Sequence, residues 1–205
     1  MRTRIKICGI DSIDHARLAE DLGVDAIGLV FVPESPRYLS LESASAIASA
    51  TGPFLQIVGL FANAPEDQVI DALAKVELDI LQFHGDESVD YCESFGLPYI
   101  KAVRVRNAEH IIAADQRYKN ASALLLDSYS QKALGGTGET FDWLLIPQID
   151  RPLILAGGLT AENVAESIQS ASPYAVDVSS GVESTPVAKD PVKMGAFVRQ
   201  VELGK

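Results

Sequence analysis

The sequence predicts an α/β chain closed into a (β/α)8 barrel, a single domain over 1–205, and three observations predict it. Apolar, strand-like runs alternate with amphipathic helical stretches from end to end, the pattern of parallel β/α units. Eight such runs occur, which fits a closed barrel better than an open doubly wound sheet. Polar and glycine-rich residues collect after the strands while the opposite ends read as ordinary turns, and a barrel carries every strand C-terminus to one face.

The first strand, Arg4–Cys8, is broken by Gly9, and a helix over 13–22 follows, capped by Ser12 or Asp11 and stopped by Gly23. The second strand, 26–32, runs into the loop Pro33-Glu34-Ser35-Pro36-Arg37-Tyr38, and Ser40 caps a helix over 42–50. After the third strand, 55–61, Asn63-Ala64-Pro65 opens a helix with proline at a tolerated first-turn position. The fourth strand, 78–83, ends in His84-Gly85-Asp86-Glu87, and its helix, 88–95, stops at Gly96 and Pro98. Tyr99–Val105 is the fifth strand, with a helix over 108–118 behind it. The sixth, centred on 124–126, delivers Asp127 at its C-terminal end. A loop over 128–140 with Gly135-Gly136-Thr137-Gly138 at its middle leads to a short helix near 141–146. Leu153–Leu155 is the seventh strand, followed by Gly157-Gly158 and by Thr160 as the cap of the next helix. Ala175, Val176 and Val178 form the eighth, Ser179-Ser180-Gly181 its loop, and Pro191–Leu203 the last helix.

With 205 residues, 47% of them hydrophobic, the chain suits one large core near the lower size limit for eight units. A formal charge of -11 argues against a nucleic-acid or anionic-membrane partner, so an anionic small molecule must be held by local amides and a few placed cations. No apolar run approaches about 18 residues, and MRTRIKICG enters a strand with no signal-peptide pattern, so a cytoplasmic location is expected. Cys8 and Cys92 are too few for a disulfide framework. Monomer and homodimer are both compatible with the pattern.

Two small-residue loops in tandem, with Gly157, Gly158, Ser180 and Gly181, present amide N–H groups unobstructed by side chains, the makings of a phosphate cup after strands seven and eight. Cys8 ends a strand that also carries Arg4 and Lys6. Positive or polar surroundings lower a thiol pKa, so Cys8 is a candidate nucleophile or general base, against the commoner fate of a small buried hydrophobe. Asp127 leaves a fully apolar strand at the rim, where desolvation favours a protonated, proton-donating carboxyl; a loop cap is the competing reading. Asp177 has the same placement beside the phosphate cup and suits orientation by hydrogen bonding. Arg37, between Pro36 and Tyr38, offers a planar bidentate grip on a carboxylate, or else a solvated loop cation. His84, which more often orients a loop than reacts, and Arg104 complete the face. The histidines 15, 84 and 110 are scattered and give no metal-ligand spacing, so no metal site is expected. No dinucleotide fingerprint follows the first strand, so no such cofactor is expected either.

Along nearly its whole length the chain resembles the phosphoribosylanthranilate isomerases. The shared motifs are KICGI from Lys6, SPR from Ser35, VGLFAN from Val58, QFHGDE from Gln82, LLLDS from Leu124, GGTGETFDW from Gly135, LAGGL from Leu155 and VDVSSGVE from Val176. The resemblance implies a TIM barrel and a cofactor-free Amadori rearrangement of N-(5-phosphoribosyl)anthranilate to 1-(2-carboxyphenylamino)-1-deoxyribulose 5-phosphate, a step of tryptophan biosynthesis. It implies Asp127 as general acid on the furanose ring oxygen, Cys8 as general base at C2′ and Arg37 on the anthranilate carboxylate. It also places Gly157, Gly158, Ser180 and Gly181 at the phosphate. Asp11, Ala62 and Val187 stand where the family usually has threonine, valine and glycine. Two other readings are a histidine-pathway aminoaldose isomerase, where aspartate usually stands in place of Cys8, and a non-catalytic phosphate-binding barrel, against which the pair Cys8 and Asp127 speaks.

Overall fold

The computed structural model describes residues 2–128, 143–185 and 187–204, so Gly135-Gly136-Thr137-Gly138 and most of its loop lie outside the described residues. Eight strands pair in chain order, all parallel: β1 (Arg4–Cys8), β2 (Ala26–Val30), β3 (Gln56–Phe61), β4 (Ile80–Phe83), β5 (Tyr99–Val105), β6 (Ala123–Ser128), β7 (Leu153–Leu155) and β8 (Ala175–Val178). β8 closes the barrel on β1, with Ile5 opposite Val176 and Lys6 opposite Asp177.

Period-two alternation decides what each strand sends inward. Ala123 and Leu125 of β6 join Val58, Ile100, Ile154 and Ala175 in the interior cluster, so Asp127, next on that face, emerges at the mouth. The same parity carries Lys6 and Cys8 inward on β1, Gln82 and His84 from β4, and Ala175 and Asp177 on β8. The opposite parity, including Ile5, Ile7, Ile27, Leu29, Phe61 and Phe83, packs against the helices. Those helices are α1 (Ile13–Asp21), α2 (Leu41–Ala48), α3 (Glu66–Lys75), α4 (Val89–Glu93), α5 (Ala108–Arg117), α6 (Val164–Ala171) and α7 (Pro191–Leu203). Ser12, Ser40, Ser88, Asn107 and Asp190 each accept a first-turn amide. Ser12 rather than Asp11 is therefore the cap of α1, and each such cap is worth about 1 kcal/mol.

Several expected boundaries move for local reasons. β2 ends at Val30, because there the chain turns and Leu39 N–H returns to the Val30 carbonyl. α6 begins at Val164 rather than after Thr160, because Asn163 Oδ1 accepts the Thr160 amide and holds 160–163 as a turn. Of the short helix near 141–146, the described part is one 3-10 turn, Trp143–Leu145. An antiparallel hairpin of β9 (Glu183–Thr185) and β10 (Ala188–Lys189) follows β8; runs of three and two residues leave no period to read. No helix of the described residues is long and apolar enough to cross a membrane.

Candidate active site

At the C-terminal ends of the strands lies a cavity of about 500 Å³. Cys8, His84, Asp127 and Asp177 reach it from the barrel mouth, Gly157, Gly158 and Ser180 from the loops after β7 and β8, and Arg37 from the loop after β2. Val30, Val32, Leu60 and Ala62 form an apolar wall beside Cys8. Two expected residues stand apart. Gly181 lies behind the cavity, where an added Cβ would sit 2.0 Å from the Leu159 carbonyl oxygen, so its place is close packing of the loops after β7 and β8. Arg104, the register partner of Asp127, is exposed and does not line the cavity.

Around Cys8 the electrostatics differ from the expectation of a lowered thiol. Lys6 Nζ donates to Asp177 Oδ2 at 3.0 Å, with both groups buried. Burial pushes the Cys8 thiol above its ordinary value; the cations Lys6 and Lys189 oppose this but do not overcome it, and Asp177 adds to the rise. Desolvation of the buried thiol is the largest contribution, and the ammonium of Lys6 that opposes it is shared with Asp177. Burial likewise pushes Asp177 up against the pull of Lys6. Its Oδ1 has no hydrogen-bond partner among the described residues, which leaves an acceptor for a ligand donor.

Asp127 is held from β4. Gln82 Nε2 lies 3.0 Å from His84 Nδ1, and His84 Nε2 lies 3.2 Å from Asp127 Oδ2. With the amide donating to Nδ1, His84 carries its proton on Nε2 and donates to Oδ2. Oδ1 of Asp127 is the carboxyl oxygen that His84 does not engage. That oxygen abuts Gly157, where φ is +78° and an added Cβ would stand 2.7 Å from Oδ1 and 2.5 Å from the Ser128 amide nitrogen. Gly157 thus makes room for the Asp127 carboxyl as well as shaping the loop after β7. Asn163 Nδ2 donates to the Gly158 carbonyl at 2.9 Å and fixes that loop from behind.

The loop bearing His84 is fixed by a buried pair. Lys101 Nζ donates to Glu87 Oε2 and to the carbonyls of Phe83 and Gly85, while Glu87 Oε1 accepts the amides of Asn63 and Gly85. A charge pair buried this fully is tolerated because its remaining hydrogen-bonding sites are filled.

Arg37 does make a bidentate grip, but within the chain: Nε and Nη2 donate to Glu183 Oε1 and Oε2, each at 2.8 Å. Among the described residues this pair uses two of its five N–H donors, and the outer edge of the fork is the part that Glu183 does not take. Lys6, Gln82, Asn163, Glu183 and Lys189 were not singled out as site residues from the sequence. Inward parity with Cys8 and His84 was a usable signal for Lys6 and Gln82. For Glu183 no spacing gives one, because its partner Arg37 is 146 residues away in the chain, and Lys189 reaches the site through Glu183 and Ser179.

Residues 5–200 match the family model described as N-(5′-phosphoribosyl)anthranilate (PRA) isomerase. A curated N-(5′-phosphoribosyl)anthranilate isomerase of Azotobacter vinelandii is 53% identical over 199 residues, covering 97% of each chain. The crystal structure of phosphoribosyl anthranilate isomerase from Thermotoga maritima superposes with a TM-score of 0.88 at 36% identity, over 98% of both chains. A phosphoribosyl anthranilate isomerase in complex with reduced 1-(o-carboxyphenylamino)-1-deoxyribulose 5-phosphate gives 0.85 at 35% identity, again over 98% of both. With its closed eight-stranded barrel and its full-length match, the chain belongs to the N-(5′-phosphoribosyl)anthranilate isomerase family.

Proposed function

We propose that the chain, working as one (β/α)8 domain over 1–205, carries out the Amadori rearrangement of N-(5-phosphoribosyl)anthranilate to 1-(2-carboxyphenylamino)-1-deoxyribulose 5-phosphate in tryptophan biosynthesis. The observation that carries the reading is the arrival of Cys8 and Asp127 in one cavity from β1 and β6, with β7 and β8 between them. An acid and a base on separate sides of a sugar are what the reaction needs. Asp127 protonates the furanose ring oxygen through Oδ1, breaking the C1′–O bond and giving the Schiff base. Cys8, as thiolate, takes the proton from C2′, and the enolamine tautomerises to the ketone. Asp127 is left as a carboxylate that His84 stabilises through Oδ2.

Gly157, Gly158 and Ser180 face the cavity and suit the substrate phosphate, with Gly181 closing the loop behind them. Arg37 offers its outer edge to the anthranilate carboxylate at the other end, and Asp177 Oδ1 accepts a sugar hydroxyl. The charge of -11 supports a small-molecule partner rather than a nucleic acid or a membrane, and the reading is completed by a cytoplasmic enzyme acting as a monomer or homodimer. Disappearance of the anthranilate substrate's fluorescence on mixing with purified protein tests the activity. Cys8→Ser and Asp127→Asn should each lose about 10² to 10⁴ in turnover while keeping the wild-type circular dichroism spectrum. Near-normal turnover in either variant removes that residue from the mechanism.

A further inference from the structure

Glu183 begins the hairpin of β9 and β10, outside the cavity lining, yet it is the most fully engaged carboxylate described in the chain. Oε1 accepts from Arg37 Nε at 2.8 Å and from Lys189 Nζ at 2.7 Å. Oε2 accepts from Arg37 Nη2 at 2.8 Å and from the Val187 amide at 3.2 Å. Lys189 continues to the carbonyl and hydroxyl of Ser179, and Lys193 from α7 holds the Glu183 backbone carbonyl. Burial alone would raise the carboxyl; the hydrogen bonds from Arg37 and Lys189 instead hold it down to about 2.

A charge cluster built only for stability has no need to spend a carboxylate on a residue that lines the ligand cavity. Two cations against one carboxylate leave one excess positive charge, and the Glu183 grip fixes the guanidinium plane so that its outer edge is presented in a set direction. The hairpin that aims Glu183 carries Val187 at φ +74°, a backbone state costly for a β-branched residue. Its amide donates to Glu183 from that turn, and strain of this kind persists where surrounding structure over-determines it.

We propose that Glu183 is a positioning residue for substrate recognition: it orients Arg37 so that the free edge of the guanidinium meets the substrate carboxylate. This rests on the reading of Arg37 as the carboxylate grip. Preorganising a flexible arginine lowers the ordering cost of binding, and the gain belongs to ground-state affinity rather than to the chemical step.

The test is steady-state kinetics of full-length Arg37→Ala, Glu183→Gln, Glu183→Asp and the double variant Arg37→Ala/Glu183→Gln. Glu183→Gln should raise KM roughly tenfold or more, the size of a lost charge-assisted contact, with kcat within about a factor of two. Glu183→Asp keeps the charge opposite Lys189 but withdraws the carboxylate by one methylene; it should raise KM as well, and it serves if Glu183→Gln does not fold. In the Arg37→Ala background Glu183→Gln should add nothing, because the residue it orients is gone. An unchanged KM in Arg37→Ala overturns the carboxylate grip itself. A raised KM there with wild-type KM in both Glu183 variants overturns the positioning role alone, as does a Glu183→Gln penalty that persists in full in the double variant.

Discussion

The Asp177 carboxylate and the Cys8 thiol compete for one ammonium, that of Lys6. The lysine sits 3.0 Å from Asp177 Oδ2, and its charge is what most opposes the upward push of burial on Cys8. Asp177 acts in the other direction, raising the thiol pKa through its negative charge. Asp177→Asn should therefore free Lys6 to pair with the thiolate and lower the pH at which Cys8 ionises. The check is the pH dependence of iodoacetamide alkylation in a Cys92→Ala background, where the only remaining thiol is Cys8. Cys92 itself is buried with its thiol pushed up to about 12, so it contributes little even when present. A midpoint that stays put or rises in Asp177→Asn refutes the shared-ammonium account. In the wild type the thiol is the resting form at neutral pH, so kcat should climb with pH toward the Cys8 midpoint.

In the proposed reaction Gly157 bears on Asp127 as well as on the phosphate. Because an added Cβ would meet Asp127 Oδ1 at 2.7 Å and the Ser128 amide at 2.5 Å, Gly157→Ala must shift the carboxyl or the loop. A displacement of about 1 Å at a reacting group costs on the order of 10² in rate, so turnover should fall by about that much. The fall should appear in kcat, and a variant whose KM alone rises would place Gly157 purely at the phosphate.

The barrel was legible because eight apolar runs alternate with helical stretches, and the ends of those runs foretold the mouth: Cys8, His84, Asp127 and Asp177 all reach the cavity, on the parity their strands set. Parity says nothing of which neighbour a side chain meets across the mouth. The pairing of Arg37 with Glu183 joins the β2 loop to a hairpin of three and two residues, too short for a period. The sign of the Cys8 shift was equally hidden, since it depends first on how deeply the thiol is buried and then on the charges of Lys6 and Asp177, which meet across the seam between β1 and β8. Gly181 reads in sequence like Gly157 but stands opposite the Leu159 carbonyl instead of the Asp127 carboxyl, without the positive φ of Gly157.

Glu183 makes the stability of the chain acid-sensitive in a defined window. Its carboxyl is depressed from an ordinary 4.5 to about 2, so its contribution is complete above pH 4.5 and is lost as pH falls toward 2. Urea midpoints of wild type and Glu183→Gln should therefore differ most at neutral pH and converge below pH 4.5. A gap that stays constant down to pH 3 would mean that the carboxyl is not depressed in the folded chain.

Val187 offers a way to add stability without touching the cavity. At φ +74° a β-branched residue is held in the left-handed region, at a cost of about 1–2 kcal/mol. Glycine adopts that state freely but loses roughly 0.5–1 kcal/mol more backbone entropy on folding, so Val187→Gly should gain on the order of 0.5–1 kcal/mol. For a chain of this length that corresponds to a Tm rise of about 1–4 °C. Val187→Ala should recover less, because a Cβ remains where the left-handed turn disfavours one. The Val187 amide still donates to Glu183 in both variants, so KM should hold at the wild-type value while Tm rises. A lower Tm in Val187→Gly than in Val187→Ala would show that the left-handed turn is not what the valine opposes.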